Sequence, residues 1–158
     1  MKPVVFPGSF DPVTNGHLDL ILRARDIFGE VRVLVLTNTA KKPLFSIQER
    51  VDLLKQALGG QQRISVDSAP GLLVHYLQKN ELSVIVRGLR GPADWEHEAA
   101  NAYFNHHLYP AAHTIFLPST AQWQFISSSA VKEAWASGGD ISAWVPACVK
   151  KALEQKHL

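Results

Sequence analysis

The chain has 158 residues, 46% hydrophobic and 19% charged, which is enough to bury a sizeable core and indicates one domain over residues 1–158. Its 16 basic and 14 acidic residues leave a net charge of +2, too balanced for a dedicated nucleic-acid surface. No apolar run approaches the ~20 residues of a membrane span, and Pro7-Gly8 comes too early for a signal peptide, so we expect a cytoplasmic protein without nucleic acid or membrane partners.

The sequence predicts short strands that alternate with helices. Strands show as continuous apolar runs bounded by Pro or Gly, and helices as segments whose apolar residues recur every three or four positions. Ser46 and Glu49 have the spacing of a capping box. In chain order, the predicted elements are a strand at 4–6, a helix at 17–28, a strand at 31–36, a helix at 47–58, a weak strand at 64–66, a helix at 71–79, a strand at 82–86, a helix at 92–108, a strand at 114–117, a helix from 127–129 to 135 and a helix at 146–156.

This alternation predicts an α/β fold. Strands joined by helical crossovers pair in parallel, so we expect a doubly wound, Rossmann-like sheet of five parallel strands with helices on both faces. In such sheets ligands bind beyond the carboxyl ends of the strands. The loops after the first, second, fourth and fifth strands are therefore the candidate functional segments.

Those four loops carry an unusual set of side chains. The first, from Gly8 to His17, is rich in turn-forming residues and leads into a helix N-terminus, a common place to hold phosphate. The others carry Lys41 with Lys42, Arg87 with Arg90, and Ser127-Ser128-Ser129 with Lys132. Cations, hydroxyls and one imidazole fit a polyphosphate nucleotide together with a second anionic substrate. Arg87 directly follows an apolar strand, so it requires a partner for its charge.

The same residues resemble known motifs. Gly8-Ser9-Phe10-Asp11-Pro12 with Thr14-x-Gly16-His17, and Ile126-Ser127-Ser128-Ser129-x-x-Lys132, resemble the two signatures of Rossmann-like nucleotidyltransferases. Lys41-Lys42-Pro43, Arg87-Gly88-Leu89-Arg90 and the stretch from Trp123 are similar to the phosphopantetheine adenylyltransferase family over essentially the whole chain. There are two departures, Ser9 where the family commonly has threonine and His97 where many members have tyrosine.

The resemblance implies a reaction. Members of the family transfer the adenylyl group of ATP to 4'-phosphopantetheine, which gives dephospho-coenzyme A and pyrophosphate. The acceptor phosphate attacks in line, without a covalent enzyme intermediate. The attacking group is already anionic, so catalysis requires positioning and charge stabilisation rather than a general base. The resemblance also implies Mg²⁺ bound mainly through the ATP phosphates, coenzyme A as a feedback ligand, and a homohexamer.

The resemblance also implies roles for individual residues. The catalytic pair would be His17, which stabilises the α-phosphate in the transition state, and Lys41, which contacts the acceptor phosphate. The residues that would bind phosphopantetheine are Ser9, Lys41, Leu73 and Arg87. The residues that would bind ATP are Ser9, Phe10, His17, Gly88, Leu89, Arg90, Glu98, Trp123, Gln124, Phe125, Ile126, Ser127, Ser128 and Ser129.

Other interpretations of the motifs stay open at this point. A related nucleotidyltransferase could use cytidine triphosphate or accept nicotinamide mononucleotide, and a nucleotide sensor could keep the fold without catalysis. The stretch from Asp94 to Glu98 has acids and a histidine at helical spacing, but acids in a first helical turn favour the helix dipole without a metal. Cys148 is the only cysteine, which excludes an internal disulfide and a thiolate metal site.

Overall fold

A computed structural model describes residues 2–37 and 42–156 of the chain. Its strands are β1 (Val4–Gly8), β2 (Val31–Leu36), β3 (Ile64–Ala69), β4 (Val84–Leu89) and β5 (His113–Pro118). These five strands form one all-parallel sheet in the order β3-β2-β1-β4-β5. The helices are α1 (Asn15–Phe28), α2 (Ile47–Leu58), α3 (Leu73–Lys79), α4 (Pro92–Leu108), α5 (Ser128–Ala136) and α6 (Ala147–Gln155), with a single 3₁₀ turn at Ala121–Trp123.

The sheet is covered on both faces, which confirms the predicted α/β fold. Successive side chains of β1 point to opposite sides, so Phe6 and Val5 enter different apolar clusters. The larger cluster, around Phe6, includes buried residues of α1, α2, α5 and α6. The smaller one, around Val5, is closed by α3 through Leu77. No helix within residues 2–37 and 42–156 is long and apolar enough to cross a membrane.

The strand boundaries differ from prediction where polar residues extend a strand. β3 continues through Asp67 and Ser68 to Ala69, because each residue pairs in register with β2, from Val31↔Ile64 to Leu36↔Ala69. β4 was predicted to end at Val86 with Arg87 in the following loop, and this was wrong. Arg87 lies inside β4 opposite Phe116, and its charge is compensated by an acid on α4, as described below.

The crevice of the sheet lies between β1 and β4. The chain leaves β1 through α1 toward β2 and leaves β4 through α4 toward β5, so the two loops diverge on opposite sides of this pair. The two strands pair directly only at Val5↔Ile85. A reversal of strand order of this kind opens a space for ligand at the carboxyl edge of the sheet.

Helix α1 packs unusually close to β4 at this crevice. A Cβ atom at Gly88 would lie 2.3 Å from Cδ1 of Leu20, a separation that real Cβ atoms do not show. Leu20 is itself buried. Glycine at position 88 therefore sets how close the helix carrying His17 approaches the strand carrying Arg87.

Candidate active site

Two adjoining cavities lie at the carboxyl edge of the sheet. The larger, about 460 Å³, lies between the loop after β1, the start of α4 and the start of α5. The smaller, about 320 Å³, lies between β1, the end of β2, α3 and α4. Both are lined by Pro7, Gly8, Ser9, Arg87 and Glu98, which form a common wall. The site therefore has room for two ligands that meet at this wall.

Most of the residues that the sequence indicated for ATP line the larger cavity. They are Ser9, Phe10, His17, Gly88, Arg90, Glu98, Trp123, Ile126, Ser127, Ser128 and Ser129. Leu89, Gln124 and Phe125 are not among its lining residues, and Phe125 is 82% exposed. His97, one of the two departures from the family pattern, lines this cavity as well.

The smaller cavity brings together Ser9, Leu73 and Arg87, three of the residues that the sequence indicated for the acceptor. The fourth, Lys41, lies outside the described residues. Asn101 and Asn105 of α4 form a polar side of this cavity that was not predicted from the sequence. Their separation of four residues places them on one face of a helix, a signal that was available in the sequence.

His17 is held as a neutral imidazole by the first turn of its own helix. Thr14 is the N-cap of α1, and its Oγ1 accepts a hydrogen bond from the His17 backbone N–H (3.3 Å). The Thr14 backbone N–H donates in return to Nδ1 of His17 (3.0 Å). Since Nδ1 accepts this hydrogen bond, the ring proton of the neutral form lies on Nε2. His17 lines the larger cavity in this state, as a fixed N–H donor.

The protonation state of His17 follows from its surroundings. Desolvation lowers its pKa from 6.5 to about 4, and the positive charges of Arg87 and Arg90 act in the same direction. The Phe10 ring packs against the imidazole in an edge-to-face arrangement, with the two ring centroids 5.2 Å apart. Phe10 in turn packs over Gly8, where a Cβ would lie only 3.0 Å from the ring. Gly8 is needed for this contact rather than for a positive φ.

The common wall is built on an ion pair between β4 and α4. Arg87 donates from Nε to Oε2 of Glu98 (2.8 Å) and from Nη2 to Oε1 (2.6 Å), a bidentate pair, while Nη1 donates to the carbonyl oxygen of Pro7. Glu98 is buried. Because Glu98 compensates its charge, the Arg87 guanidinium can lie between β1 and β4 without an unpaired charge.

Asp11 ties together the segments around the first loop. Its buried carboxylate accepts hydrogen bonds from the backbone N–H groups of Leu44 (2.9 Å) and Phe45 (2.8 Å) and from Nζ of Lys132 (3.1 Å). Lys132, which the sequence placed among the cations of this edge, pairs with Asp11 and also lines a small cavity of about 80 Å³ with Ser9, Ser128 and Ser129. The loop after β1, the entry to α2 and helix α5 are thereby fixed to one carboxylate.

Arg90 is held by an acid one helical turn further on. Asp94 accepts hydrogen bonds from Nε, Nη2 and the backbone N–H of Arg90, each 3.0 Å long. Burial would raise the pKa of Asp94, but the hydrogen bonds from Arg90 outweigh it and hold that pKa below its usual value. Among the described residues, no group of three or more His, Cys, Asp or Glu side chains is placed to hold a metal ion.

Comparison with known proteins first gives the class. Residues 5–134 match the family described as cytidylyltransferase-like. Together with the five-stranded parallel sheet and the two cavities at its carboxyl edge, this match makes the chain a nucleotidyltransferase. The match extends from β1 to α5 and so includes each loop that contributes to the larger cavity.

Full-length relatives then narrow the class to one family. The chain is 48% identical over 158 residues to the phosphopantetheine adenylyltransferase of Syntrophomonas wolfei, covering 100% of this chain and 98% of that protein. It is 46% identical over 156 residues to the enzyme of that name from Desulfosudis oleivorans (99% and 93% covered) and 47% identical over 156 residues to that of Dictyoglomus thermophilum (99% and 95%). The chain belongs to the phosphopantetheine adenylyltransferase family.

Proposed function

We propose that this enzyme transfers the adenylyl group of ATP to 4'-phosphopantetheine, forming dephospho-coenzyme A and pyrophosphate in coenzyme A biosynthesis. The observation that carries the proposal is the pair of adjoining cavities that meet at Ser9 and Arg87. ATP takes the larger cavity, lined by the helix start at Ser127–Ser129 and by Arg90. Phosphopantetheine takes the smaller one, with its arm against Leu73 and its phosphate at the common wall.

In the proposed reaction the two ligands react directly with each other. An oxygen of the acceptor phosphate attacks the α-phosphorus of ATP in line, the bond to the bridging oxygen of pyrophosphate breaks, and pyrophosphate leaves with that electron pair. No proton has to be removed from the acceptor phosphate, which is anionic at neutral pH. Catalysis consists of alignment and of stabilising charge on the pentacovalent α-phosphate.

His17 is the proposed donor to the α-phosphate. With Nδ1 bonded to the Thr14 N–H, the Nε2–H of the neutral ring is the donor that His17 can offer to the cavity it lines. Lys41 is proposed to contact the acceptor phosphate, and Arg90 the triphosphate. Of these donors, His17 and Arg90 are held by Thr14 and Asp94 before ATP binds, which reduces the reorganisation needed in the transition state.

The remaining features of the proposal follow from the nucleotide. Mg²⁺ would be bound mainly through the phosphate oxygens of ATP, where it would neutralise charge on the triphosphate. The acidic side chains that line the larger cavity, Asp94 and Glu98, are already bonded to Arg90 and Arg87. Dephospho-coenzyme A and coenzyme A are the further small-molecule ligands, and the active form is proposed to be a homohexamer.

The test is a pyrophosphate-release assay on the wild type and His17→Ala. Because the His17 contact is made chiefly in the transition state, its loss should lower kcat about 10²- to 10³-fold while changing ATP affinity only modestly. His113→Ala is the matched control, because His113 is exposed at the other end of the sheet, where β5 begins, and should leave kcat unchanged. Unchanged turnover in His17→Ala would contradict the role given to His17.

The same assay separates the rival functions. The wild type is offered ATP or cytidine triphosphate as donor, and 4'-phosphopantetheine or nicotinamide mononucleotide as acceptor. Pyrophosphate release only with ATP and phosphopantetheine supports the proposal. Release only with nicotinamide mononucleotide would show a different acceptor, and ATP binding without any release would show a sensor.

A further inference from the structure

The contact between Arg90 and Asp94 has a geometry that a helix-capping role alone does not require. Arg90 is the residue after β4, and Asp94 lies in the first turn of α4. The Asp94 carboxylate binds the guanidinium in a bidentate manner, Oδ2 to Nε and Oδ1 to Nη2, both at 3.0 Å. Both residues line the larger cavity. The side chain of Arg90 is therefore held in one orientation at the cavity wall.

The pair leaves part of the guanidinium available for a ligand. The bonds to Asp94 use the edge formed by Nε and Nη2, and Nη1 takes no part in them. Arg90 is also close enough to His17 for its charge to lower the pKa of that imidazole. An arginine is flexible, and fixing it in advance reduces the conformational entropy lost when it binds phosphate.

We infer that Asp94 is a positioning residue for ATP, acting through Arg90. This inference rests on the proposed function in placing the ATP triphosphate in the larger cavity. Asp94 does not touch the nucleotide. It orients the guanidinium so that the remaining N–H donors, on Nη1 and Nη2, face the phosphates, and its own charge is neutralised by the same contact.

Two other roles for Asp94 would behave differently. As a purely structural residue it would close the turn into α4, where its backbone N–H donates to the Gly91 carbonyl (3.1 Å) and its side chain accepts from the Arg90 backbone N–H. As an inhibitory residue it would hold Arg90 back from ATP. The first role does not depend on the Arg90 side chain, and the second predicts tighter ATP binding when the carboxylate is lost.

The test is a double-mutant cycle of Asp94→Asn and Arg90→Ala, read as the Kd for ATP by calorimetry and as KM and kcat in the pyrophosphate-release assay. Asparagine keeps the shape and can still accept the backbone bond, but it loses the bidentate ion pair. We expect Asp94→Asn to weaken ATP binding about tenfold, within the coupling range of contacting residues. In the Arg90→Ala background the same change should have no further effect. The KM for phosphopantetheine should stay constant throughout.

Asp19→Asn provides the matched control. Asp19 and Arg23 are also an aspartate and an arginine four residues apart, in this case both on α1. The Asp19 side chain is 24% exposed against 23% for Asp94, and neither Asp19 nor Arg23 lines the larger or the smaller cavity. Asp19→Asn should leave the Kd for ATP unchanged.

The outcomes separate this inference from the proposed function. Three outcomes would overturn the positioning role even if the wild type is active. They are a loss of ATP affinity on Asp94→Asn that is equal in the wild-type and Arg90→Ala backgrounds, an unchanged Kd for ATP in Asp94→Asn, and a lower Kd for ATP in Asp94→Asn. A wild type that binds ATP but rejects phosphopantetheine would overturn the proposed acceptor, and the cycle on the Kd for ATP would still decide the role of Asp94. A wild type that does not bind ATP would overturn both.

Discussion

His17 shows how a local contact sets the chemical state of a site residue. The sequence indicated the position of this histidine, but its protonation state depends on desolvation and on the charges of Arg87 and Arg90, and its tautomer depends on the Thr14 N–H bonded to Nδ1. The Thr14–His17 spacing is that of a capping box, with histidine in place of the usual acid. The same residue therefore completes the cap at the start of α1 and offers an N–H to the cavity.

The lowered pKa of His17 predicts a pH dependence of stability. Its pKa is about 4 in the folded chain against 6.5 ordinarily, so the unfolded chain takes up the proton first as the pH falls. The contribution of neutral His17 to the unfolding free energy is fully present above pH 6.5 and is lost as the pH falls toward 4. Between pH 7 and pH 4.5, the wild type should lose about 2 kcal/mol more unfolding free energy than His17→Gln.

Urea denaturation of both proteins at the two pH values measures this difference. Other titrating groups are common to the two chains and cancel in the comparison, so His17→Gln serves as the control for the rest of the molecule. If the denaturation midpoints of the wild type and His17→Gln changed by the same amount between the two pH values, a neutral, desolvated imidazole at position 17 would be contradicted.

At the scale of the element, the sequence predicted which loops meet but not every side-chain partner. Parallel strands with alternating helices bring all carboxyl-end loops to one edge, so the convergence of the serine and arginine loops follows from periodicity alone. The Arg90–Asp94 contact, at a spacing of four residues, could also have been found. The Arg87–Glu98 and Asp11–Lys132 pairs depend on how α4 and α5 dock, and no local pattern encodes that.

The contact between α1 and β4 gives a prediction at the same scale. Gly88→Ala places a Cβ against the buried Leu20 side chain, which must change rotamer or push α1 away. Such overpacking should cost about 1–3 kcal/mol of unfolding free energy. It should also weaken ATP binding, because Leu20 and Gly88 both line the larger cavity.

Gly91→Ala is the control for this change. Gly91 has an extended backbone that any residue adopts, and a Cβ there meets nothing within 4 Å. Thermal unfolding and ATP titration of both variants give the comparison. Equal stability and equal ATP affinity of Gly88→Ala and Gly91→Ala would contradict a requirement for glycine at position 88. In the Gly88→Ala background, Leu20→Val should restore part of the lost unfolding free energy, because it shortens the side chain that the new methyl group contacts.

At the scale of the whole molecule, one helix carries apolar surface that the described chain does not bury. Trp95, Tyr103, Phe104 and Leu108 of α4 are each more than half exposed. Tyr103 and Phe104 contact each other edge to face, with ring centroids 5.4 Å apart. Monomeric proteins rarely expose extended patches of this kind. The smaller cavity is lined by other residues of the same helix, Asn101, Ala102 and Asn105, so a second copy packed on α4 would also stiffen the acceptor site.

This surface gives a test of the proposed homohexamer. If copies of the chain meet on α4, Phe104→Glu should place a carboxylate in an apolar interface at a cost of several kcal/mol and shift the protein to smaller species. Sedimentation measures the mass, and circular dichroism checks that each subunit stays folded. Ile27→Glu is the control, because Ile27 is 59% exposed on α1 and Phe104 is 58% exposed on α4. A monomeric wild type would contradict the hexamer, and a Phe104→Glu variant of unchanged mass would place the interface elsewhere than at Phe104.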